Sequence, residues 1–232
     1  MLKKVTVLIP VYNEELYVED VLKALTAVRL PPGLTLEIII IDDGSTDRTR
    51  SILQTHGEAG NIRMLFMERN LGKGAAVREG LKQATGDVVI IQDADLEYSV
   101  ADYPRLLEPF MSEGAQAVYG SRFLGHIENM QWLYRTFNLL MRALVNILFN
   151  AHITDEATAY KLIRTDVLRS LNLQSNRFEI CPEITAKLLK KKIPIREVPI
   201  TYKARSHRQG KKIGWRDAFS AIGTLIKYRC LP

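Results

Sequence analysis

The 232-residue sequence is poor in cysteine, with Cys181 and Cys230 alone. Two thiols give no disulfide framework and no Cys-x-x-Cys metal site, and a reducing, cytosolic compartment is the default expectation. Met1-Leu2-Lys3-Lys4-Val5 runs straight into a strand pattern, with no long apolar core of a secretory leader. The sequence lacks a Walker A loop, a Gly-x-Gly-x-x-Gly fingerprint and a Gly-x-Ser-x-Gly elbow. These absences argue against NTPase, dehydrogenase and hydrolase readings. Zinc-finger spacing and RNA-binding aromatic signatures are missing too, so nucleic acid is not an expected partner. There is no repeat, low-complexity segment or Ser/Gly linker.

What is present is ordinary globular material, 47% hydrophobic and 25% charged, enough for one sizeable core. The charge is uneven. From Lys187 to Pro232 there are 13 basic and 2 acidic residues, whereas the first 186 residues carry a net charge of −5. A basic C-terminal fifth on an acidic body fits an anionic partner, lipid or substrate phosphate.

The first half alternates strand and helix patterns. Val5 to Ile9, Leu36 to Ile41, Ile62 to Met67, Val88 to Ile91 and Gln116 to Tyr119 read as strands. Helical periodicity covers Glu14 to Val28, Asp47 to Thr55, Ala75 to Ala84 and Asp102 to Glu113. Asn13 is an expected N-cap of the first helix, and Ser45 or Thr46 of the second. Asn70-Leu-Gly-Lys-Gly74 is an expected turn. The alternation predicts βαβ units, a mostly parallel sheet and an α/β fold.

The informative stretch is Asp87 to Glu97. An apolar strand, Val88 to Ile91, ends in Asp93, Asp95 and Glu97. Strand side chains alternate, so this spacing can converge three carboxylates beyond the C-terminal edge, where α/β sheets bind ligands. Hard oxygen ligands suit Mg²⁺ or Mn²⁺ and, through them, phosphates. A solvated acidic turn is the plainer alternative. Tyr12-Asn13-Glu14 and Asp42-Asp43 stand at two further strand ends on the same expected edge.

Gln131 to Asn150 is long and apolar, with one narrow polar stripe through Arg135, Asn138, Arg142 and Asn146. Two central arginines argue against spanning a membrane. Burial against the domain or a homodimer partner, and a helix flat in the membrane interface, both stay open. Phe178 to Lys191 reads as a helix capped by Ser175 or Asn176, Ile193 to Ile200 as a strand, Lys203 to Lys212 as a basic loop, and Trp215 to Tyr228 as an amphipathic helix. The expected division is 1–212 as the catalytic domain and 213–232 as a C-terminal helix.

Ile9-Pro-Val-Tyr-Asn-Glu14, Ile41-Asp-Asp-Gly-Ser-Thr-Asp47, Asn70-Leu-Gly-Lys-Gly74, Asp93-Ala-Asp-Leu-Glu97 and Gly120-Ser-Arg122 resemble the ordered motifs of family-2 glycosyltransferases. The set is most similar to dolichol-phosphate and polyprenyl-phosphate mannose synthases, over Val5 to about Lys212. The resemblance implies a GT-A fold, a nucleotide-sugar donor, a divalent metal (Mg²⁺ or Mn²⁺) and inverting transfer. By motif position it implies Pro10, Tyr12, Glu14 and Asp42 at the base and ribose. Asp43 joins them or caps the next helix. Lys73, Asp93 and Ala94 complete the donor site, and Asp93, Asp95 and Glu97 hold the metal. Glu97 departs from the glutamine frequent there.

The resemblance further implies a polyprenyl or dolichyl phosphate acceptor, with GDP-mannose as the favoured donor. An anionic acceptor needs cations rather than a general base. Arg122, Arg205, Arg208, Lys211 and Lys212 are the candidates, Arg122 first because it is expected just after a strand end. Asp95, Arg122 and Asp155 are the expected catalytic set. Thr154 to Lys161 falls where the synthases have Asp-Pro-Thr-Ser-Gly-Phe-Arg; Asp155 and Thr158 match, while Pro, Gly and Arg do not. Glu179 and Glu183 are rival carboxylates for a hydroxyl acceptor, and His207 is a lone loop histidine. The processive-synthase Gln-x-x-Arg-Trp motif is absent, which argues against polymer extension. The expected place is the cytoplasmic face of a membrane, held peripherally. The alternatives are a UDP-glucose or UDP-GlcNAc transferase and a non-catalytic membrane-binding adaptor.

Overall fold

Ile38 to Ile41 and Val88 to Ile91 are almost wholly buried, as strands covered on both faces must be. The computed structural model describes residues 2–57, 60–205 and 215–231. Within them, β1 (Lys4–Val11), β2 (Thr35–Asp42), β3 (Ile62–Phe66), β4 (Val88–Ile91), β5 (Ala117–Glu128), β6 (Lys161–Arg164) and β7 (Ile195–Lys203) form one sheet. Its order is β3-β2-β1-β4-β6-β5-β7. β1 pairs in parallel with β2 and β4, β2 with β3, and β5 with β7. The mostly parallel α/β expectation holds. The exception is β6, antiparallel to both β4 and β5. It has four residues, too few for a periodic signal, and was not anticipated.

Alternate strand residues feed two cores. Val5, Val7, Ile38, Ile40, Val88 and Ile90 meet α1 (Val18–Thr26) and α4 (Tyr103–Ser112). Leu8, Ile39, Ile41, Val89 and Ile91 meet α3 (Lys73–Gln83) and α7 (Ile180–Lys190) on the other face. The shorter α2 (Thr49–His56) and α6 (Thr165–Ser170) add Leu53 and Leu168. A third core joins α5 (Trp132–Phe149), α7 and α8 (Trp215–Cys230) through Met141, Val145, Ala186, Leu225 and Tyr228.

Several local expectations are corrected. α1 starts four residues later than expected, because Asn13 turns with φ 49° rather than capping. Neither Ser45 nor Thr46 caps α2; Arg48 holds that position, and Asp47 Oδ1 accepts from the Thr49 amide at 2.9 Å. Ser175 and Asn176 do not cap α7, whose N-cap position is Glu179. α3 begins at Lys73, so the expected turn through Gly74 is already helix. β5 continues through Gly120-Ser121-Arg122 to Glu128, with a register irregularity between Ser121 and His126.

Candidate active site

β1, β2 and β4 run parallel, with Val11 level with Asp42 and Leu8 level with Ile91. Their C-terminal ends therefore open on one edge, where a first cavity of about 330 Å³ lies. Of the candidate residues, Pro10, Tyr12, Glu14, Asp43, Lys73, Asp93, Ala94 and Asp95 are brought together in its lining, with Glu97 and Arg205. Asn70, Arg177, Phe178 and Asp217 also line it. Asn70 belongs to the Asn70 to Gly74 motif, but nothing local in the sequence marked Arg177, Phe178 or Asp217, since tertiary packing alone brings 177–178 and α8 to this edge.

Asp42 is corrected. It is fully buried, lines neither this cavity nor the next, and pairs with Arg50 Nε at 2.6 Å. Asp43 caps no helix. Its carboxylate accepts from the Leu71 and Gly72 amides at 2.8 and 2.7 Å, and burial raises its pKa. That grip pins the glycine turn before α3. Gly72 has φ +101°, open to glycine far more readily than to other residues. A Cβ on Gly74 would lie against the Ser175 carbonyl. The two glycines let α3 start against 175–176, which places Lys73 Nζ 2.5 Å from Asp93 Oδ1. Burial opposes the Lys73 charge, yet the neighbouring Asp93 carboxylate raises its pKa above the ordinary lysine value.

The three carboxylates of 93–97 do not converge. β4 ends at Ile91, and Leu96 turns with φ 57°, so strand alternation no longer governs where they point. Asp93 faces Lys73. Asp95 Oδ2 pairs with Arg205 Nη2 at 2.9 Å, while Arg205 Nη1 reaches Glu14 Oε2 at 3.1 Å. Glu97 accepts from Tyr202 Oη and from the Arg205 amide, each at 2.7 Å. Among the described residues, no three acidic, histidine or cysteine side chains gather as an ion's ligand set. Asp95 is nonetheless electrostatically crowded. Burial, then Asp93 and Glu97, push its carboxyl up to about 7 against the pull of Arg205. Asp93 and Asp95 fit a divalent cation as oxygen donors with negative charge in excess; Glu97 is committed to β7.

A second cavity, of about 540 Å³, adjoins the first. Lys73, Asp93, Glu97, Phe178 and Asp217 line both. Its own walls are largely apolar: Tyr98, Met130, Leu133, Phe137, Met141 and Ala221 among them. Arg122 lies in this wall, inside β5 rather than after a strand end as expected. Asp155 grips it through Nε at 2.7 Å, Nη2 at 2.8 Å and the Arg122 amide at 2.9 Å. Burial opposes the Arg122 charge, and Asp155 more than offsets it. Asp155 lines neither cavity; it positions Arg122, and its own amide donates to Glu197.

The rival carboxylates are structural here. Glu183 is fully buried and accepts from the Gln174 and Ser175 amides, Lys187 and Tyr228. Glu179 accepts from the Asn176 and Arg177 amides. Arg208 and Lys211, with His207 and Lys212, lie outside the described residues.

α5 buries Asn138, Met141 and Val145 and exposes Trp132, Leu133, Leu140 and Ile147, the last at 80%. Its inner face is partly polar, Asn146 binding both the amide and the carbonyl of Ile153, while its exposed side is mostly apolar, with Arg135 and Thr136 the polar residues on it. Phe219 and Ile226 of α8 are exposed as well. Among the described residues, no helix is long and apolar enough to cross a membrane.

Comparison with known proteins places this geometry. The family model described as glycosyl transferase family 2 matches residues 6–171. A dolichol-phosphate mannosyltransferase of Pyrococcus furiosus is 29% identical, over 91% of this chain and 60% of its own length. An undecaprenyl-phosphate 4-deoxy-4-formamido-L-arabinose transferase of Edwardsiella ictaluri is 28% identical, over 89% and 62%. The chain thus spans about 60% of the length of these curated relatives. Among solved structures, glucosyl-3-phosphoglycerate synthase of Mycobacterium tuberculosis superposes with a TM-score of 0.77 at 20% identity, covering 99% of this chain and 81% of that one. This likeness supports the GT-A fold.

Proposed function

Because the chain belongs to glycosyl transferase family 2, we propose that it transfers one sugar, with inversion, from a nucleoside diphosphate sugar to a polyprenyl or dolichyl phosphate. The carrying observation is that a polar cavity at the strand ends and a larger apolar one meet at Lys73 and Asp93. The first suits a nucleotide and its pyrophosphate. The second suits an isoprenoid chain, with Arg122 in its wall for the phosphate.

In this reading Glu14 and Asp43 stand beside the nucleoside, and Lys73 beside the pyrophosphate. Arg122, held in one orientation by Asp155, aims the acceptor phosphate at the anomeric carbon. A phosphate oxygen forms the new bond to that carbon as the bond to the nucleoside diphosphate breaks. The acceptor is already an anion, so no side chain needs to remove a proton. Arg205 and Lys73 offset the crowding of negative charge. Mg²⁺ or Mn²⁺, held by Asp93 and Asp95, would supply Lewis-acid neutralisation of the leaving diphosphate.

GDP-mannose is the favoured donor, on the similarity to a dolichol-phosphate mannosyltransferase. A UDP-sugar is the second reading, since mycobacterial synthase structures hold UDP with Mn²⁺. The exposed apolar face of α5 and the basic C-terminal fifth support peripheral contact at the cytoplasmic face of a membrane. Purified protein, polyprenyl phosphate and Mn²⁺ or Mg²⁺, given labelled GDP-mannose, UDP-glucose or UDP-GlcNAc in parallel, test the reading. Label entering the organic phase from one donor, and abolished by EDTA, is expected. Nucleotide binding without lipid labelling would contradict the acceptor, and no nucleotide binding would contradict the donor.

A further inference from the structure

Glu156 stands in the wall of the second cavity at 2% exposure. Among the described residues its carboxyl makes one hydrogen bond, from Thr185 Oγ1 to Oε1 at 3.3 Å. Even that proton has a rival acceptor, the Cys181 carbonyl at 3.2 Å. Lys161 is buried close by and its charge favours the ionised Glu156 carboxylate, but its hydrogen bonds go elsewhere. Its Nζ donates to the main-chain carbonyl of Glu156 at 2.6 Å and to Thr185 Oγ1 at 3.3 Å, and lies 3.9 Å from the Tyr119 ring centroid. No ion pair joins the Lys161 and Glu156 side chains among the described residues. Burial outweighs the pull of the Lys161 charge and raises the Glu156 pKa. A carboxyl so enclosed and so weakly satisfied is unfavourable unless a ligand brings donors to it.

The cavity restricts what those donors belong to. Hydrocarbon has none. A phosphate brings negative charge, and Arg122 is the better place for it. The wall that holds Glu156 also holds Cys181, Lys73 and Asp93, the last two at the junction with the nucleotide cavity. A sugar leaving the pyrophosphate towards the acceptor crosses that junction with its hydroxyls outward. We propose that Glu156 accepts hydrogen bonds from hydroxyl groups of the sugar being transferred, and so helps to select the donor sugar. The proposal rests on the nucleotide-sugar reading above. It belongs to this chain's own residues, since Glu156 stands where the resembling segment has proline.

The test compares a nucleoside diphosphate with its sugar derivative, which differ by the group in question. Titration calorimetry with Mn²⁺ is run on the full chain and on Glu156→Ala and Glu156→Gln, using UDP against UDP-glucose and GDP against GDP-mannose. The expected result is a loss of about tenfold in affinity for the bound sugar nucleotide in Glu156→Ala, the free diphosphate staying within about twofold. Glu156→Gln, whose amide oxygen still accepts, should lose less. It also carries the test if the alanine variant fails to fold. An equal loss on both ligands, or no sugar-dependent loss, overturns this proposal alone. Failure of the wild-type chain to bind either diphosphate overturns the donor reading and this proposal with it.

Discussion

Asp95 is held against its own ionisation. Its carboxyl titrates near 7 in the fold, whereas in an unfolded chain it would titrate near 4. Raising the pH from about 4 to about 7 therefore removes stability through this group, and above 7 the cost stays constant. Asp95→Asn without metal should be more stable than wild type by on the order of 1–3 kcal/mol at pH 8, and not at pH 4, by urea denaturation. The same substitution should lower sugar transfer by about a hundredfold or more. Glu37 shows the opposite sign. Burial opposes its charge, but Thr6, the Thr85 amide and hydroxyl, and Lys4 hold its pKa down to about 2. Stability through Glu37 is complete above about pH 4.5 and fades as the pH falls towards 2. Glu37→Gln should cost roughly 2 kcal/mol at pH 7, and the gap should close in acid. At this scale the sequence brought Lys73 and Asp93 to the same edge as the structure does, because both lie next to the strand end or helix start that places them. It misplaced Asp42 and Glu97. Which way a carboxylate turns at or beyond a strand end depends on Arg50 and Tyr202, partners on other elements.

Among the elements, α3 and α5 bear most directly on the proposed function. α3 is clamped at its start: Asp43 holds the Leu71 and Gly72 amides, and the Asn176 carbonyl accepts from the Ala75 amide at 2.9 Å. Gly74→Ala would drive a methyl group into 175–176. It should cost about 1–3 kcal/mol and weaken nucleotide binding by displacing Lys73, seen together by thermal melts and titration. The span of α5 was legible within a residue at each end, since its apolar residues recur with helical period. Its outward face was not. Periodicity identifies a polar stripe but not which side has a neighbour, and α7 and α8 took the partly polar side. The double substitution Leu140→Glu, Ile147→Glu should reduce sedimentation with anionic vesicles by about tenfold while leaving the melting temperature within a degree or two. Unchanged sedimentation would assign that face to something other than lipid.

For the molecule as a whole, the two cavities adjoin because β4 and α3 deliver Asp93 and Lys73 to the boundary between them. The lining of the cavity proposed for the donor was legible, since consecutive parallel strand ends write it into short motifs. The lining of the cavity proposed for the acceptor was not. It is assembled from β5, α5, α7 and α8, and its apolar walls look like any core in sequence. The central claim is that the apolar cavity holds the acceptor. It is tested most directly by photolabelling with a polyprenyl phosphate carrying a diazirine in its first isoprene units, followed by peptide mapping. Labels on Met130, Phe137 or Met141, suppressed by unlabelled polyprenyl phosphate and weakened in Arg122→Ala, are the predicted result. Labels confined to the outer face of α5, with none in the cavity, would contradict it.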